Sequence, residues 1–363
     1  MSTDTFCSLA WLGASSITGN GMYRPCCTYD PMSFDAHWSK SIEHNIQVYN
    51  SLRKDLLNGV QRPECKSCWN LERVGKGSLR QHANHRFAEY YDQIINSTAS
   101  DGSTSITPVY FDMKMSNLCN LGCRMCSPGI SSVIEAEVKS NPNLPWTDYD
   151  KNMPMMSGTW EENAYTQIAQ YDNITDLKFT GGEPFANPRV FDFLESLNNK
   201  HNINLSFISN GLLISEKHLK LCNRFKSLQI SISCDGTEDT YNYIRWPGTW
   251  KKFTKKFKMI KDNVENLSVV SVISAYNMHN IADMVDYFKN TDFHMSPLFK
   301  PKFMYPYVQG LDYDFSNIEH KDISSIVNTK QTYDMQLHKT FIEQTLIRDK
   351  LRKQKFKKLV DIE

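Results

Sequence analysis

Six short apolar segments that alternate with helical patterns constrain this chain more than any other feature of it. They lie at 109–114, 176–180, 205–209, 228–233, 267–274 and, more weakly, 294–299. The helical patterns between them fall at 190–198, 215–225, 250–261 and 281–289. Successive strands stand roughly 25–35 residues apart, the rhythm of repeated βα units and a parallel sheet. The interval 128–172 is longer, with Trp146, Trp160 and a Met-rich run at 153–156, and reads as a helix followed by an inserted loop.

With 363 residues the chain has room for one large domain and a smaller one. A formal net charge of +1 excludes a global field directed at nucleic acid or a membrane surface. Residues 1–13 lack a basic segment followed by an apolar stretch, and no apolar run approaches ~18 residues, so the expected home is the cytoplasm. Three zones follow: a cysteine-rich segment 1–105, a βα core 106–305 and a helical extension 306–363. The polar stretch 96–103 reads as a linker. The basic run 350–358 reads as a solvated helix face, with a docking patch for an acidic partner as the minority reading.

Ten cysteines are many for such a chain, and eight of them fall between Cys7 and Cys126. In a reducing compartment such crowding points to metal ligands or catalytic groups. Cys119, Cys123 and Cys126 directly follow the first strand segment. Three thiolates can hold three irons of a [4Fe–4S] cube and leave the fourth without a protein ligand. An open coordination position is what catalysis needs, whereas a structural site is closed. A zinc knuckle that borrows a distant fourth ligand is the alternative, although zinc spacings usually come as pairs of two. Gly122 eases the bend of such a loop.

The spacing of three and then two residues resembles the cysteine motif of the radical S-adenosylmethionine (SAM) superfamily. Gly181-Gly182-Glu183-Pro184, after the second strand, resembles its GGEP motif, and Ser209-Asn210-Gly211 its Thr/Ser-Asn-Gly signature. Ser231-Ile232-Ser233-Cys234-Asp235-Gly236 resembles the Ser-x-Asp-Gly motif of peptide-modifying members, with Arg245 twelve residues after Ser233. The resemblance implies an α/β fold, a partial (β/α)6 TIM-like barrel, with sites at the carboxyl ends of the strands. It implies that Glu183 accepts from the SAM amino group while Gly181 and Gly182 let backbone approach the ligand. It further implies that Ser209 and Asn210 belong to the same pocket, that Ser233 bonds the ribose, and that Arg245 binds the carboxylate. The family's usual aromatic residue before the third cysteine is here Met125, which can still pack against adenine.

Cys7, Gly21, Cys26 and the pair Cys65 and Cys68 resemble the auxiliary-cluster pattern of SPASM and twitch domains, which usually follow the barrel. A second, fully ligated [4Fe–4S] cluster is implied; four-cysteine zinc suits the same residues. Cys26 and Cys27 compete for one ligand position, and the family spacing selects Cys26. Trp11 and Trp69 read as shields of that site. Cys222 and Cys234 read as small core residues, and His82 and His85 as a solvated surface. Asp235 and Tyr241 could move a proton, with Asp235 read first as a brace for its turn. The implied activity is reductive cleavage of SAM by a cluster reduced from an external donor such as flavodoxin or ferredoxin. The resulting 5′-deoxyadenosyl radical takes hydrogen from a peptide, protein or small molecule. The rivals are a zinc-binding interaction protein and an enzyme acting on RNA.

Overall fold

The computed structural model describes residues 4–16, 23–30, 41–114, 116–151 and 158–360. Gly21 and the Met-rich run 153–156 lie outside the described residues. Eight strands form one sheet: β1 (Gly13–Ser16), β2 (Tyr23–Arg24), β3 (Tyr110–Lys114), β4 (Asp176–Thr180), β5 (Asn204–Ser209), β6 (Ser227–Ser233), β7 (Asn266–Ile273) and β8 (Asp292–Pro297). Their order is β2-β1-β3-β4-β5-β6-β7-β8. Only β2 runs antiparallel to its neighbour. Among the described residues β2 and β8 do not pair, so the sheet is open: an α/β partial barrel with a helical C-terminus.

All six strand segments expected from the sequence are strands, each within two residues of its expected ends. The helices at Pro188–Ser196, Trp250–Lys261 and Ile281–Tyr287 also stand where expected; that at Glu216–Cys222 stops three residues early. Local chemistry explains these starts. Asn187 accepts from the Arg189 N–H at 3.1 Å and Pro188 occupies the first turn, where its missing donor costs nothing. Val190, Phe193 and Leu194 then fall on one face and are buried against the sheet.

Alternation within each strand sorts the two faces of the sheet. Phe111, Met113, Leu177, Phe179, Leu205, Phe207, Ile230 and Ile232 are buried in the main core. The intervening residues Asp112, Lys114, Lys178, Thr180, Ser206 and Ser233 are polar, and register sets Asp112 beside Lys178 and Lys114 beside Thr180. A parallel sheet covered on both sides carries apolar residues on both. Here the concave face is polar because it lines a cavity.

Three expectations change. The interval 128–172 holds two helices beyond the expected one, Asp148–Lys151 and Gly158–Ile168, and Ala164, Tyr165 and Ile168 of the latter enter the core. The stretch 96–103 is a packed turn rather than a linker. Thr98 bridges to Thr104, Arg53 donates to the Gly102 carbonyl at 3.3 Å, and Gly102 has φ 88. A polar turn and a polar linker share a composition; only the partners differ. The basic run is not one solvated helix face, because the helix Met335–Arg352 ends where Lys353 turns left-handed at φ 52. The buried face of that helix includes Phe341, Thr345, Arg348 and Arg352, while residues 305–322 ahead of it form turns.

The N-terminal segment builds its own apolar cluster around Phe6, Trp11, Leu52, Leu56, Trp69 and Phe87. It joins the barrel through β1, which lies parallel to β3 with Ser15 opposite Asp112. Gly-Ala-Ser-Ser has little β-propensity, so this strand gives no sequence signal.

Candidate active site

The loop after β3 carries Cys119, Cys123 and Cys126 and is held from several sides. The Gly122 and Arg124 N–H groups donate to the Trp246 and Ile244 carbonyls at 2.7 and 3.0 Å. Ser131 Oγ donates to the Leu121 carbonyl at 2.7 Å, and the Cys119 N–H to Ser132 Oγ at 3.1 Å. Gly122 sits in a tight space: a Cβ there would meet Val133 Cγ1 at 3.0 Å and Arg352 Nη2 at 3.3 Å, so both side chains would have to give way slightly.

All three thiols line one cavity of about 550 Å³ at the carboxyl ends of the strands. Cys126 donates to Cys123, which holds Cys123 low and pushes Cys126 up. Burial pushes Cys119 up to about 12. Among the described residues no three His, Cys, Asp or Glu side chains converge on one ion. A cube of irons asks for less convergence, since each thiolate binds its own iron. Three thiols on one loop, opening on one cavity, fit such a cluster.

The remaining motifs meet at this loop, and Ser209 and Asn210 line the same cavity. Gly181 and Gly182 line the cavity, and Gly182 also packs against the cysteine loop: a Cβ would fall 2.3 Å from the Leu118 carbonyl oxygen. The Gly182 and Glu183 N–H groups donate to the Ser116 and Leu118 carbonyls, and Gly181 takes φ 119. The Glu183 carboxylate is buried and accepts from the Phe185 N–H at 3.0 Å, Ser209 Oγ at 2.7 Å and the Asn210 N–H at 2.7 Å. A carboxylate has about four lone-pair sites, so Glu183 is chiefly a brace. Asn210 Nδ2 in turn donates to Asn120 Oδ1 at 2.8 Å, which ties the signature at the end of β5 to the cysteine loop.

Ser233, Met125 and Arg245 line the cavity itself. Arg245 pairs with Asp235 at 2.6 Å, and its Nε is buried with no partner among the described residues. That orphan donor fits the carboxylate of SAM. Asp235 reaches beyond its own turn, for its Oδ1 accepts from the Val272 N–H on β7 at 2.8 Å. Tyr241 is fully buried in the main core and does not reach the cavity wall.

A second thiol group forms in the N-terminal segment. Burial and then the neighbouring Cys26, Cys65 and Cys68 push Cys7 up. Cys65, beside Cys26 and Cys68, is pushed to about 12 by burial. Trp11 and Trp69 are buried around the group, with the Arg80 guanidinium 4.8 Å from the Trp69 ring centre. The structure separates the adjacent cysteines: Cys26 faces the other three thiols, whereas Cys27 lines the cavity beside Asp112. Cys222 and Cys234 are buried, and His82 and His85 are exposed.

Comparison with known proteins bears on this arrangement. Residues 113–289 match the family model of the Radical SAM superfamily. That segment is just under half of the chain and begins on β3. A curated relative, "Uncharacterized protein MJ0907" of Methanocaldococcus jannaschii, is 28% identical over 132 residues, 35% of this chain and 38% of that protein. Among solved structures, native anSMEcpe with bound AdoMet gives a TM-score of 0.38 at 21% identity, over 67% of this chain and 61% of that one. Streptococcus suis SuiB bound to precursor peptide SuiA gives 0.37 at 12% identity, over 86% and 61%. The chain thus spans about six tenths of those two structures and under half of the curated relative.

Two features around the matched segment carry no motif. Arg124 is fully buried between the cysteines, 4.0 Å from the Tyr243 ring centre and 2.6 Å from Asp349 on the C-terminal helix. Asp349 also accepts from Tyr243 Oη and the Phe356 N–H, both at 2.8 Å. Arg352 pairs with Glu137 at 2.7 Å. The tail therefore clamps the back of the cysteine loop. The other feature is the cavity wall opposite Arg245, made by Ser15, Ser16, Cys27, Asp112, Lys114 and Lys178. Polar residues two apart in an apolar strand, Asp112 and Lys114, were its one legible sign.

Proposed function

We propose that this chain is an enzyme that reductively cleaves SAM and uses the radical to take hydrogen from a peptide or protein. Cys119, Cys123 and Cys126 would hold a [4Fe–4S] cluster; Arg245 would hold the SAM carboxylate and Ser233 the ribose. Cluster and SAM together supply a 5′-deoxyadenosyl radical on reduction. The chain's own part is placement and exclusion of water. Asp235 fixes the Arg245 guanidinium, Glu183 holds Ser209 and Asn210, and Asn210 steadies the loop through Asn120. One observation carries the reading: three thiols open on the same cavity as an arginine whose Nε is buried and unpartnered.

The Cys7, Cys26, Cys65 and Cys68 group is read as a second [4Fe–4S] site within an N-terminal unit, 1–105, that resembles SPASM and twitch domains. A peptide substrate is favoured over a small molecule or RNA by the resemblance of residues 231–236 and Arg245 to peptide-modifying members. Flavodoxin or ferredoxin is the expected class of electron donor.

Anaerobic protein loaded with iron and sulfide, reduced with dithionite and given SAM, should form 5′-deoxyadenosine, and Cys119→Ala should abolish it. About eight irons per chain support two clusters. Two zincs, no colour and no 5′-deoxyadenosine would replace the reading with the zinc-binding protein.

A further inference from the structure

The cavity has two walls, and the one opposite Arg245 holds two donors without partners. Four cationic side chains line the cavity: Lys114, Lys178, Lys300 and Arg245. Lys178 is engaged by Asp112 at 3.0 Å and Arg245 by Asp235 at 2.6 Å. These are the only carboxylates among the lining residues, so both are already matched. Lys114 ends β3, and its stem runs beside Gly181, where a Cβ would meet Lys114 Cγ at 3.0 Å. Its ammonium, half-buried between the Cys126 side and the Cys27 side, makes no hydrogen bond or ion pair among the described residues.

Ser15 supplies the second donor, from the neighbouring strand. It is 1% exposed, its Oγ has no partner among the described residues, and it lines the same cavity. A buried hydroxyl and a half-desolvated ammonium left unmatched are both costly, and a single anion would satisfy both. Lys300 is exposed at the cavity wall and adds a third positive group along the entry.

We propose that the substrate carries a carboxylate near its reacting carbon, and that Lys114 and the Ser15 hydroxyl bind it. This rests on the radical SAM reading and deepens it by naming a substrate class. One ammonium and one hydroxyl match a monoanion. A peptide offers that group as its C-terminal carboxylate or as an Asp or Glu side chain.

Cys27 provides a reporter on the same wall, exposed in the cavity. In the loaded holoprotein, alkylation of Cys27 is followed by peptide mass analysis with iodoacetate and, separately, iodoacetamide, reagents of similar size that differ in charge. The iodoacetate-to-iodoacetamide rate ratio at Cys27 should fall at least about fivefold in Lys114→Gln and be retained in Lys114→Arg. Acetylated tripeptides ending in a free carboxylate, carrying an internal glutamate, or wholly amidated are then tested for protection of Cys27. Protection by either acid but not by the amide supports the proposal, and the more protective acid identifies the source. An unchanged ratio in Lys114→Gln overturns it. So does a lowered ratio with no advantage for either acid, which would assign Lys114 to balancing the charge of the cysteine loop. Formation of 5′-deoxyadenosine by the wild type without substrate judges the radical SAM reading separately, since the alkylation ratio does not depend on SAM cleavage.

Discussion

Replacing Asp349 with asparagine tests whether the C-terminal helix clamps the cysteine loop. Arg124 has a fully buried side chain, and Asp349 is its one ionic partner among the described residues, at 2.6 Å. Nε and Nη1 of Arg124 lack partners among the described residues, and only neutral groups, the Tyr243 ring at 4.0 Å and Gln354 Oε1 at 2.9 Å, assist Asp349 in offsetting its charge. Removing one member of a buried pair typically costs about 3–5 kcal/mol, because the other charge stays behind uncompensated. Unfolding entropy of roughly 2.1 cal/mol/K per residue over this chain makes that a fall in melting temperature of about 4–7 °C. Differential scanning of the anaerobic, loaded protein reads the shift directly. Iron loss to a chelator should quicken in parallel, since Arg124 lies between Cys123 and Met125. The double variant Arg124→Met, Asp349→Asn removes both charges and should melt above Asp349→Asn alone. A single variant within about 1 °C of the parent, or a double no better than the single, refutes the argument.

Three further outcomes follow from the same structure. Cys26→Ser should lower iron from about eight to about four per chain, whereas Cys27→Ser should leave the count unchanged; equal loss in both would show that the adjacent thiols share a role. Glu183→Gln removes one charged acceptor from three buried donors and should cost about 1–3 kcal/mol in a thermal melt, with faster iron release as the Asn210–Asn120 tie loosens. Burial pushes Cys222 and Cys234 up to about 12, against an ordinary value of 9.0. Unfolding would let them ionise earlier, so their stabilising effect is complete below about pH 9 and is lost as pH rises towards about 12. Melting temperature should therefore decline across that window, and less steeply in the variant Cys222→Ala, Cys234→Ala.

The βα core was legible because its signals are local. Strand segments bounded by turns, and helices opened by Asn187-Pro188 or Thr249, declare themselves within a few residues. The site was legible as far as its motifs sit at strand ends. What those residues touch was less so. Glu183 holds the Ser209 and Asn210 segment, because its nearest donors lie on the next strand, beyond any local pattern. The split between Cys26 and Cys27 was hidden for a different reason. Spacing alone selected Cys26, but only the fold places Asp112 and Lys178 beside Cys27. The Arg124–Asp349 pair joins positions 225 residues apart, and nothing in either neighbourhood announces the other.

Cys26 and Cys27 also set the packed N-terminal thiol group and the cavity a single peptide unit apart. Whatever settles against Cys27 leans on the same bond that fixes the orientation of Cys26. A metal held by the N-terminal thiols would then act as a gauge: its spectrum should respond when the neighbouring cavity fills, without any contact between metal and guest.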